Sequence, residues 1–594
     1  MNSKSVVRIR ILLGLVVLFA LIIVGKLYQL QVMNGATYSA RAERQYVKPN
    51  SVIFDRGTIF FQKRDGTKVG VATVEQGFTL TMNPKLLTDP EAAYTAINAV
   101  FKAAASTASS SANGTPEPVL DHAAFLAASA KKTQSYIEIL KKVNSDDGKA
   151  IAALAIPGIT MYRNDWRYYP GGTLASQMVG LTGQSSTATT TASAPLISGR
   201  YGLESFYDDT LARNVDAVYV NFFAELFSDI KKTVFEDKPL EGNIVSSIDP
   251  TVQNFLEQTL KQTQTKWNPD EIGAIVIDPN TGAIYGMGHF PTFDPNDTSN
   301  VKNAAIFSNP MVQSTYEMGS ILKPLTMAAG IDAGAVTPTT TYDDTGCITV
   351  NTGKICNYDL KARGVIPMQQ VLSQSLNVGA SYIATAMGTT TQIRYFQSFG
   401  LGSTTGIDLP NDQKGNIANL LVKRQLEHDT AAFGQGIAMT PLATARALSI
   451  LANGGLLITP HLVKEIDYTL GVPKSISPVP GVRVIKQSSA DAVTQMLVQV
   501  VDKAFTKGPV QMEHYSIAAK TGTAQIANPA GGGYYTDRYL HSFFGYFPAY
   551  NPRFLIFLYQ VYPKGAEYAS ATLTDPFQQL THFLINYYDI PPDR

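Results

Sequence analysis

The most extended apolar run of the chain lies near its start. Residues 11–25 contain no charged side chain, and after Lys26 the run continues to Val32. About 20 apolar residues span the hydrocarbon core of a bilayer, and Lys26 can extend to the interface. Residues 11–32 are therefore predicted to form a transmembrane anchor. A cleaved signal peptide is the alternative, although the run is long for one and no small-x-small site closely follows it.

Basic residues on one side of this run predict its orientation. Lys4, Arg8 and Arg10 precede it. Positive charge favours the cytoplasmic side, so residues 1–10 are predicted to be a cytoplasmic tail. Everything after the anchor is then extracytoplasmic, which predicts a single-pass protein of the plasma membrane.

Short apolar runs separated by turn residues predict two β-hairpins in the second half of the chain. The first has residues 273–277 and 283–287 around a turn at 278–282, and the second has residues 542–547 and 554–561 around 548–552. A final helix is predicted to begin at Asp575, an N-cap followed by Pro576. Its apolar face consists of Phe577, Leu580, Leu584 and Tyr587.

Composition divides the rest of the chain. Two Ser-, Thr- and Ala-rich inserts, at 103–118 and 185–198, predict loops. Between them, residues 121–154 are rich in Ala, Leu and Lys and are predicted to be helical. Residues 245–594 mix strand and helix patterns, which predicts an α+β domain with an antiparallel sheet, helices packed on it and an all-helical lobe.

Length and charge exclude several function classes. The chain has 594 residues, too many for one typical domain. Its 48 basic and 47 acidic residues give a net charge of +1, whereas a nucleic-acid binder should show a basic excess. Neither a Walker A loop nor a dinucleotide glycine loop occurs, and the seven histidines are scattered. Neither an organic cofactor nor a metal ion is expected.

Candidate chemistry comes from three short motifs in a fixed order: Ser320-Ile-Leu-Lys323, Ser375-Leu-Asn377 and Lys520-Thr521-Gly522-Thr523. Each piece alone is weak evidence. The SxxK pattern also occurs at Ser129/Lys132, Ser228/Lys231 and Ser299/Lys302, and SxN also occurs at Ser111/Asn113. The ordered set is typical of penicillin-recognising acyl-transfer enzymes.

Context selects Ser320 among these serines. It opens an apolar stretch to Gly330 that predicts a buried helix, and Pro324 is tolerated in the first helical turn. Positions i and i+3 share a helix face, so the Lys323 amine is predicted to lie beside the Ser320 hydroxyl.

The residue types match the needs of acyl transfer. A serine hydroxyl requires a base, and Lys323 can be one if burial and a second cation, Lys520, lower its pKa. Ser375 can pass a proton to the leaving group, and Asn377 can bind a substrate amide and hold Lys323 in place.

The third motif is predicted to be a strand on which Gly522 leaves room for a ligand backbone and a peptide adds edge-on. The hydroxyls of Thr521 and Thr523 could bind a carboxylate. The backbone N–H groups of Ser320 and Thr523 are candidates for an oxyanion hole.

With these residues identified, the chain resembles class B penicillin-binding proteins, the membrane-anchored D,D-transpeptidases of peptidoglycan synthesis. Further segments extend the resemblance over nearly the whole chain: Asn50–Gly57, Arg167–Ser176, Gly202-Leu203-Glu204 with Tyr207-Asp208, and Gly434–Leu442. The family usually has Pro at the position of Met318 and a pair such as Thr-Phe where Ile321-Leu322 stand. These departures remove no chemical group and could alter the cleft.

The resemblance implies an organisation and a reaction. Residues 33–240 would form a non-catalytic pedestal, and residues 245–594 the transpeptidase domain. Ser320 would attack the D-Ala-D-Ala bond of a stem peptide, and an amine of a second stem peptide would resolve the acyl-enzyme. β-Lactams would acylate Ser320.

Partners follow from the same resemblance. A SEDS-type glycosyltransferase and other division proteins of the membrane are expected, because residues 377–382, 399–402 and 406–410 look closer to the division type than to the elongation type. Three alternatives stay open: a β-lactamase or carboxypeptidase, a β-lactam-sensing binding module, and a division scaffold with little turnover.

The two cysteines, Cys347 and Cys356, flank a predicted hairpin that turns at Asn351 and Thr352 and places 347 opposite 356. In an oxidising compartment this pair predicts a disulfide. Two buried free thiols are the alternative, and a metal site is the least supported interpretation.

Overall fold

The computed structural model describes residues 19, 26, 55–107, 119–184, 197–213, 241–469, 471–504 and 510–594. Apart from Phe19 and Lys26, the predicted anchor at 11–32 and the tail at 1–10 lie outside these residues. Within the described part, none of the helices combines the length and the apolar character needed to cross a bilayer. The chain divides into a smaller unit, drawn from residues 76–164, and a larger one, drawn from 55–75 and 165–594.

The region before residue 214 holds six strands and six helices among its described residues. The strands are β1 (Ile59–Gln62), β2 (Lys68–Met82), β3 (Ile137–Asn144), β4 (Ile159–Tyr168), β5 (Thr182–Gln184) and β6 (Ile197–Gly199). The helices are α1 (Pro90–Thr107), α2 (His122–Ser129), α3 (Ser145–Ala153), α4 (Ser176–Val179), α5 (Gly202–Phe206) and α6 (Asp208–Leu211).

The region before residue 214 corrects two expectations. The segment at 121–154, predicted to be helical, is split by β3, which pairs antiparallel with β2 and sets Val143 opposite Phe78. Asn144 then caps α3 by accepting from the N–H groups of Asp146 and Asp147. The insert predicted as a loop from Ala103 is helical as far as Thr107, and 197–199 of the second insert form β6; residues 108–118 and 185–196 lie outside the description.

The remaining strands belong to the larger unit. They are β7 (Gly242–Ser246), β8 (Glu271–Ile277), β9 (Ile284–Phe290), β10 (Thr341–Asp344), β11 (Cys347–Val350), β12 (Gly353–Cys356), β13 (Gly364–Pro367), β14 (Leu456–Leu457), β15 (Val463–Tyr468), β16 (Lys474–Ser475), β17 (Val482–Arg483), β18 (Ala518–Ala527), β19 (Tyr534–Phe547) and β20 (Phe554–Val561).

Its remaining helices are α7 (Pro250–Trp267), α8 (Pro310–Gln313), α9 (Lys323–Asp332), α10 (Met368–Ser373), α11 (Asn377–Met387), α12 (Thr389–Ser398), α13 (Gln425–Ala431), α14 (Pro441–Ala452), α15 (Gln487–Gln499) and α16 (Ala569–Tyr587). Single 3-10 turns occur at Ala304–Phe307, Gly319–Leu322 and Ala418–Leu421, and a π turn at Val500–Ala504.

A five-stranded sheet supports the site. Its order is β18-β19-β20-β8-β9, and both predicted hairpins are confirmed by the antiparallel pairs β8–β9 and β19–β20. Alternate residues of β8 enter different cores: Ala274 and Val276 pack with α7 and α16, whereas Ile275 and Ile277 join the core that contains α9, α14 and α15. Helices therefore cover both faces, and β18 is left at the edge.

Between β9 and β18 the structure is mainly helical. The prediction of an all-helical lobe is wrong in detail, because the short antiparallel pairs β10–β13, β11–β12 and β14–β17 lie in this region. Of these pairs, the sequence predicted only β11–β12, from its turn residues. Each strand of the other two has at most four residues, too few for the hydrophobic alternation of a strand to be recognised in the sequence.

The last helix begins earlier than predicted. It starts at Ala569, and Pro576 lies inside it. The Ala569 N–H donates to Oγ1 of Thr523 over 3.1 Å, so a residue distant in sequence satisfies the helix start. Phe577, Leu580 and Leu584 are buried as predicted, and Tyr587 is half-buried.

Three family-like segments of the larger unit meet in one buried ion cluster. The Glu204 carboxylate accepts from Arg56 and from Arg167, each over 2.6 Å, and all three side chains are at most 3 % exposed. Arg56 also pairs with Asp208 at 2.7 Å. Next to this cluster, β1 pairs in parallel with β7 and antiparallel with β2.

Candidate active site

Ser320 lies in the 3-10 turn that leads into α9. The Lys323 N–H donates to the Ser320 carbonyl, which closes one turn. Side chains at i and i+3 eclipse in a 3-10 turn, so Ser320 and Lys323 point to the same side. The helix prediction is confirmed from Lys323 onward, with Pro324 in the first turn.

Gly319 brings this turn against the third motif. Its φ is +66°, and a Cβ there would lie 3.0 Å from Cβ of Ala524 and 3.1 Å from the Thr523 carbonyl oxygen. Only glycine combines that conformation with that approach. The turn that carries Ser320 and the strand that carries Thr523 are thus in direct contact.

The structure explains the glycine at position 522 differently from the prediction. A Cβ there would lie 2.4 Å from Oγ of Ser542 and 2.8 Å from the Met318 carbonyl oxygen. The space beside Gly522 is filled by protein, so the expectation that it leaves room for a ligand backbone is wrong. The glycine lets β18 pack on the segment that precedes Ser320.

Ser542 was not identified from sequence. Its buried hydroxyl donates to the Met318 carbonyl over 2.8 Å and so ties β19 to the residue two before Ser320. No local signal distinguishes it from other polar residues in apolar strands. Met318, Ile321 and Leu322, which depart from the family pattern, are fully buried, so these departures lie in the core and not in the cleft.

The two motif lysines share an acceptor. Nζ of Lys323 donates to the Ser375 carbonyl and to Oγ of Ser375 over 3.2 Å, and Nζ of Lys520 donates to the same Oγ over 3.0 Å and to the Thr521 carbonyl over 2.9 Å. The two residues are 1 % and 3 % exposed. Burial, and then the charge of Lys520, lower the pKa of Lys323 well below its usual value. Burial lowers the pKa of Lys520 to about 7.

The second motif differs from expectation at Asn377. Its side-chain amide donates to the Cys356 carbonyl over 2.9 Å. Lys323 is held by Ser375, whose φ of +56° turns its carbonyl and its hydroxyl to the amine. Asn377 opens α11, whose Val378 N–H donates to Oδ1 of Asn357 over 3.2 Å.

Cys347 and Cys356 form a disulfide. They face each other in the β11–β12 hairpin, in the register predicted from the turn at Asn351 and Thr352. Through the Cys356 carbonyl, the hairpin contacts the second motif directly.

On β18, residues 521 and 523 lie on the half-exposed side of the strand, and residues 520, 522 and 524 are buried. The Thr523 hydroxyl already accepts from Ala569, which leaves its hydrogen for another partner. Glu317, three residues before Ser320, accepts from the Tyr534 hydroxyl over 2.8 Å, and burial raises its pKa.

The other SxxK pairs have structural partners. Ser129 donates to the Leu126 carbonyl, and Lys132 to the carbonyls of Pro84 and Leu87. Ser299 donates to Asp297. Ser228/Lys231 and Ser111/Asn113 lie outside the described residues. Among the described residues no group of three or more His, Cys, Asp or Glu side chains could hold a metal ion.

Comparisons with known proteins cover both halves of the chain. Residues 272–580 match the model of the penicillin-binding protein transpeptidase domain, and residues 55–245 match that of the penicillin-binding protein dimerisation domain. Stage V sporulation protein D of Bacillus subtilis is 28 % identical over 586 residues, which cover 97 % of this chain and 85 % of that protein.

A second relative and a solved structure agree with these matches. Peptidoglycan D,D-transpeptidase FtsI of Buchnera aphidicola is 26 % identical and covers 98 % of this chain and 95 % of its own length. The crystal structure of penicillin-binding protein 3 from Mycobacterium tuberculosis with aztreonam superposes with a TM-score of 0.62 at 26 % identity, over 73 % of this chain and 92 % of the other.

Proposed function

The chain belongs to the class B penicillin-binding proteins and is a serine D,D-transpeptidase of peptidoglycan. We propose that Ser320 is the serine that the substrate acylates. One observation carries this assignment: two buried amines, Lys323 and Lys520, donate to the Ser375 hydroxyl, and Ser320 lies one turn before Lys323.

Acylation begins with a neutral Lys323. Burial and the charge of Lys520 lower its pKa and so favour the neutral amine, which takes the Ser320 proton as Oγ attacks the carbonyl of the penultimate D-alanine. The N–H groups of Ser320 and Thr523 bind the developing oxyanion. The C–N bond then breaks, and the proton passes from Lys323 through the Ser375 hydroxyl to the leaving D-alanine amine.

Substrate binding uses the surfaces around this proton path. A stem peptide pairs with β18 at the edge of the sheet. Its terminal carboxylate accepts from the hydroxyls of Thr521 and Thr523 and faces the Lys520 amine, while Asn377 contacts a substrate amide. The amine of a second stem peptide then attacks the acyl carbonyl and gives a proton to Lys323. The ester C–O bond breaks, and Lys323 passes that proton to Oγ of Ser320.

β-Lactams react with the same serine. Their strained amide takes the place of the D-Ala-D-Ala bond, and no amine leaves the site after the ring opens. The aztreonam complex of the related penicillin-binding protein 3 supports this expectation.

The anchor, the pedestal and the partners complete the proposal. Residues 11–32 hold the protein in the plasma membrane with residues 1–10 in the cytoplasm and the catalytic domain outside. Residues 33–240 form the pedestal, and residues 245–594 the transpeptidase domain. A SEDS-type glycosyltransferase and other division proteins contact the anchor and the pedestal nearest the membrane. Carbonate-washed membranes should retain the full-length chain and lose a variant that lacks residues 1–32.

Labelling with a fluorescent penicillin tests the nucleophile. The full-length protein should hold a lasting label, which Ser320→Ala should abolish. Ser299→Ala is the matched control, because it makes the same change at another SxxK serine and should label fully. Label that survives in Ser320→Ala would overturn the assignment, and label that clears within minutes would indicate a hydrolase.

A synthetic stem peptide separates the alternatives further. When the peptide and a D-amino acid acceptor are supplied, a transpeptidase should yield the exchanged peptide, whereas a carboxypeptidase would yield only the shortened one. Labelling without either product would favour a scaffold or a β-lactam-binding module.

A further inference from the structure

The disulfide hairpin carries two contacts that fix the start of α11. The Cys356 carbonyl accepts from the Asn377 amide over 2.9 Å, and Oδ1 of Asn357 accepts from the Val378 N–H over 3.2 Å. Both acceptors come from adjacent residues at the base of the hairpin. The second motif is therefore oriented from outside its own helix.

The helix has no cap of its own. The N-cap residue, Leu376, offers no side-chain acceptor. The carboxamide of Asn357 instead accepts from a backbone N–H at the helix start, as an N-cap side chain usually does. Asn357 is buried, and it is fixed in turn: its Nδ2 donates to both carboxylate oxygens of Asp344, over 2.9 and 3.0 Å, and its N–H donates to the Gly346 carbonyl.

The hairpin has two further anchors: Ile355 packs in a small hydrophobic cluster with Ala380 and Ala384 of α11, and the Leu426 N–H donates to Oδ1 of Asn351 over 3.2 Å. It is a two-stranded pair of four residues per strand, and no third strand pairs with it in the part of the chain that the structure describes. Such hairpins are marginally stable alone. The disulfide crosses the pair at the Cys347–Cys356 position and therefore closes the hairpin at the residue whose carbonyl binds Asn377.

We propose that the Cys347–Cys356 disulfide is a positioning device for catalysis: it holds the Cys356 carbonyl and the Asn357 carboxamide where they orient Asn377. Cys356 and Asn357 are positioning residues, because they act through Asn377 and touch no reacting atom. The inference rests on the role given to Asn377 in the proposed function. Opening the disulfide should slow acylation without removing any catalytic side chain.

Both cysteines are half-buried, so a soluble reductant can reach them. A phosphine such as tris(2-carboxyethyl)phosphine converts the disulfide into two thiols and is itself oxidised to its oxide with oxygen from water. Full-length protein treated in this way, with the two thiols counted by mass spectrometry after alkylation, should be acylated by fluorescent penicillin about tenfold more slowly. The double variant Cys347→Ala/Cys356→Ala should be equally slow and should not respond to the phosphine.

Asn377→Ala separates positioning from general loosening. If the disulfide acts through Asn377, the phosphine should change the residual rate of this variant by less than about twofold, because the two effects share one contact. An undiminished tenfold response in Asn377→Ala would overturn the inference, and so would equal rates in the oxidised and reduced wild type.

A variant that keeps the disulfide tests the same contacts without the risk that reduction unfolds the protein. Asn357→Ala removes the carboxamide that caps α11 and should slow acylation several-fold, whereas Lys354→Ala, at an exposed position of β12, should not. An Asn357→Ala rate equal to that of Lys354→Ala would contradict the inference. Absence of label at Ser320 in the untreated wild type would instead mean that the proposed function fails.

Discussion

Lys323 and Lys520 donate to one atom, Oγ of Ser375, over 3.2 and 3.0 Å. Two charged amines at one buried hydroxyl would repel, and burial lowers the pKa of both. The two amines therefore titrate as a coupled unit. Three of the residues proposed to act in catalysis thus form one hydrogen-bonded group.

Removing the Lys520 charge should shift the low-pH limb of the pH–rate profile for acylation to higher pH. The proposed mechanism requires the neutral form of Lys323, and the charge of Lys520 is one of the causes that lower the pKa of Lys323. Lys520→Met should raise the pKa of Lys323 and so shift the limb to higher pH, besides lowering the maximal rate. The second-order rate of penicillin acylation, measured from about pH 5 to about pH 10, reports the shift.

Lys520→Arg provides the control for this prediction. It keeps a positive charge at every pH, so the acid limb should stay where it is in the wild type or move lower. If Lys520→Met left the limb in place, the electrostatic coupling between the two amines would be disproved.

The same Lys520→Met substitution should stabilise the fold at neutral pH. The pKa of Lys520 is about 7 in the folded state and about 10.4 in an unfolded chain. Between these values the unfolded chain binds the proton that the folded chain does not, so the buried lysine destabilises increasingly as the pH falls through this window. The gain should be roughly 1–3 kcal/mol at pH 7 and should vanish above about pH 10.4.

Melting temperatures of Lys520→Met and the wild type at neutral and at alkaline pH test this sign. A stabilisation that grew as the pH rose would be the opposite of what linkage requires. Lys354→Met, at an exposed position, should change the melting temperature little at either pH.

Gly319→Ala should slow acylation by about tenfold or more and cost about 1–3 kcal/mol of stability. A Cβ there meets the Thr523 carbonyl and Ala524, so the turn that carries Ser320 must move from β18. Gly364→Ala is a close match, because its φ is +67° against +66° and nothing lies within 4 Å of its Cβ position. It should cost only the backbone strain, about 1 kcal/mol, and leave acylation unchanged. Equal acylation rates in the two variants would show that the close approach is unimportant.

Glu204→Gln should destabilise the larger unit strongly. The buried carboxylate neutralises two buried arginines, Arg56 and Arg167, and removing one partner of such a cluster costs about 3–5 kcal/mol. Glu465→Gln is the matched control, because its partner Lys68 is partly exposed and the pair should contribute less than about 1 kcal/mol. Urea unfolding of both variants measures the difference, and a small effect at Glu204 would mean that the arginines find other acceptors.

Sequence reasoning succeeded where the signal is local. The hairpins β8–β9, β19–β20 and β11–β12 follow from apolar runs and turn residues. The motifs also predicted that Lys323 lies near Lys520, and both amines donate to the Ser375 hydroxyl. It failed where a residue distant in sequence decides. Thr523 receives the first N–H of α16, Asn357 caps α11, and Ser542 holds Met318. No spacing rule within one segment encodes these contacts.

The glycines show the same limit. Gly522 was predicted to be small for the sake of a ligand, but it is small because Met318 and Ser542 occupy the adjacent space. A requirement for space for a ligand and a requirement for close packing of protein both select glycine at this position. Only the neighbours in space distinguish a glycine that admits substrate from one that admits protein.

The position of β1 affects how this enzyme could be produced in pieces. A fragment that started at Glu241 would leave β7 without its parallel neighbour, and its unpaired N–H and C=O groups would form a template for aggregation. It would also remove the Tyr207 hydroxyl, which donates to the half-buried carboxylate of Asp408 over 3.0 Å. Recombinant work aimed at a well-behaved catalytic portion should therefore retain residues from Asp55 onward.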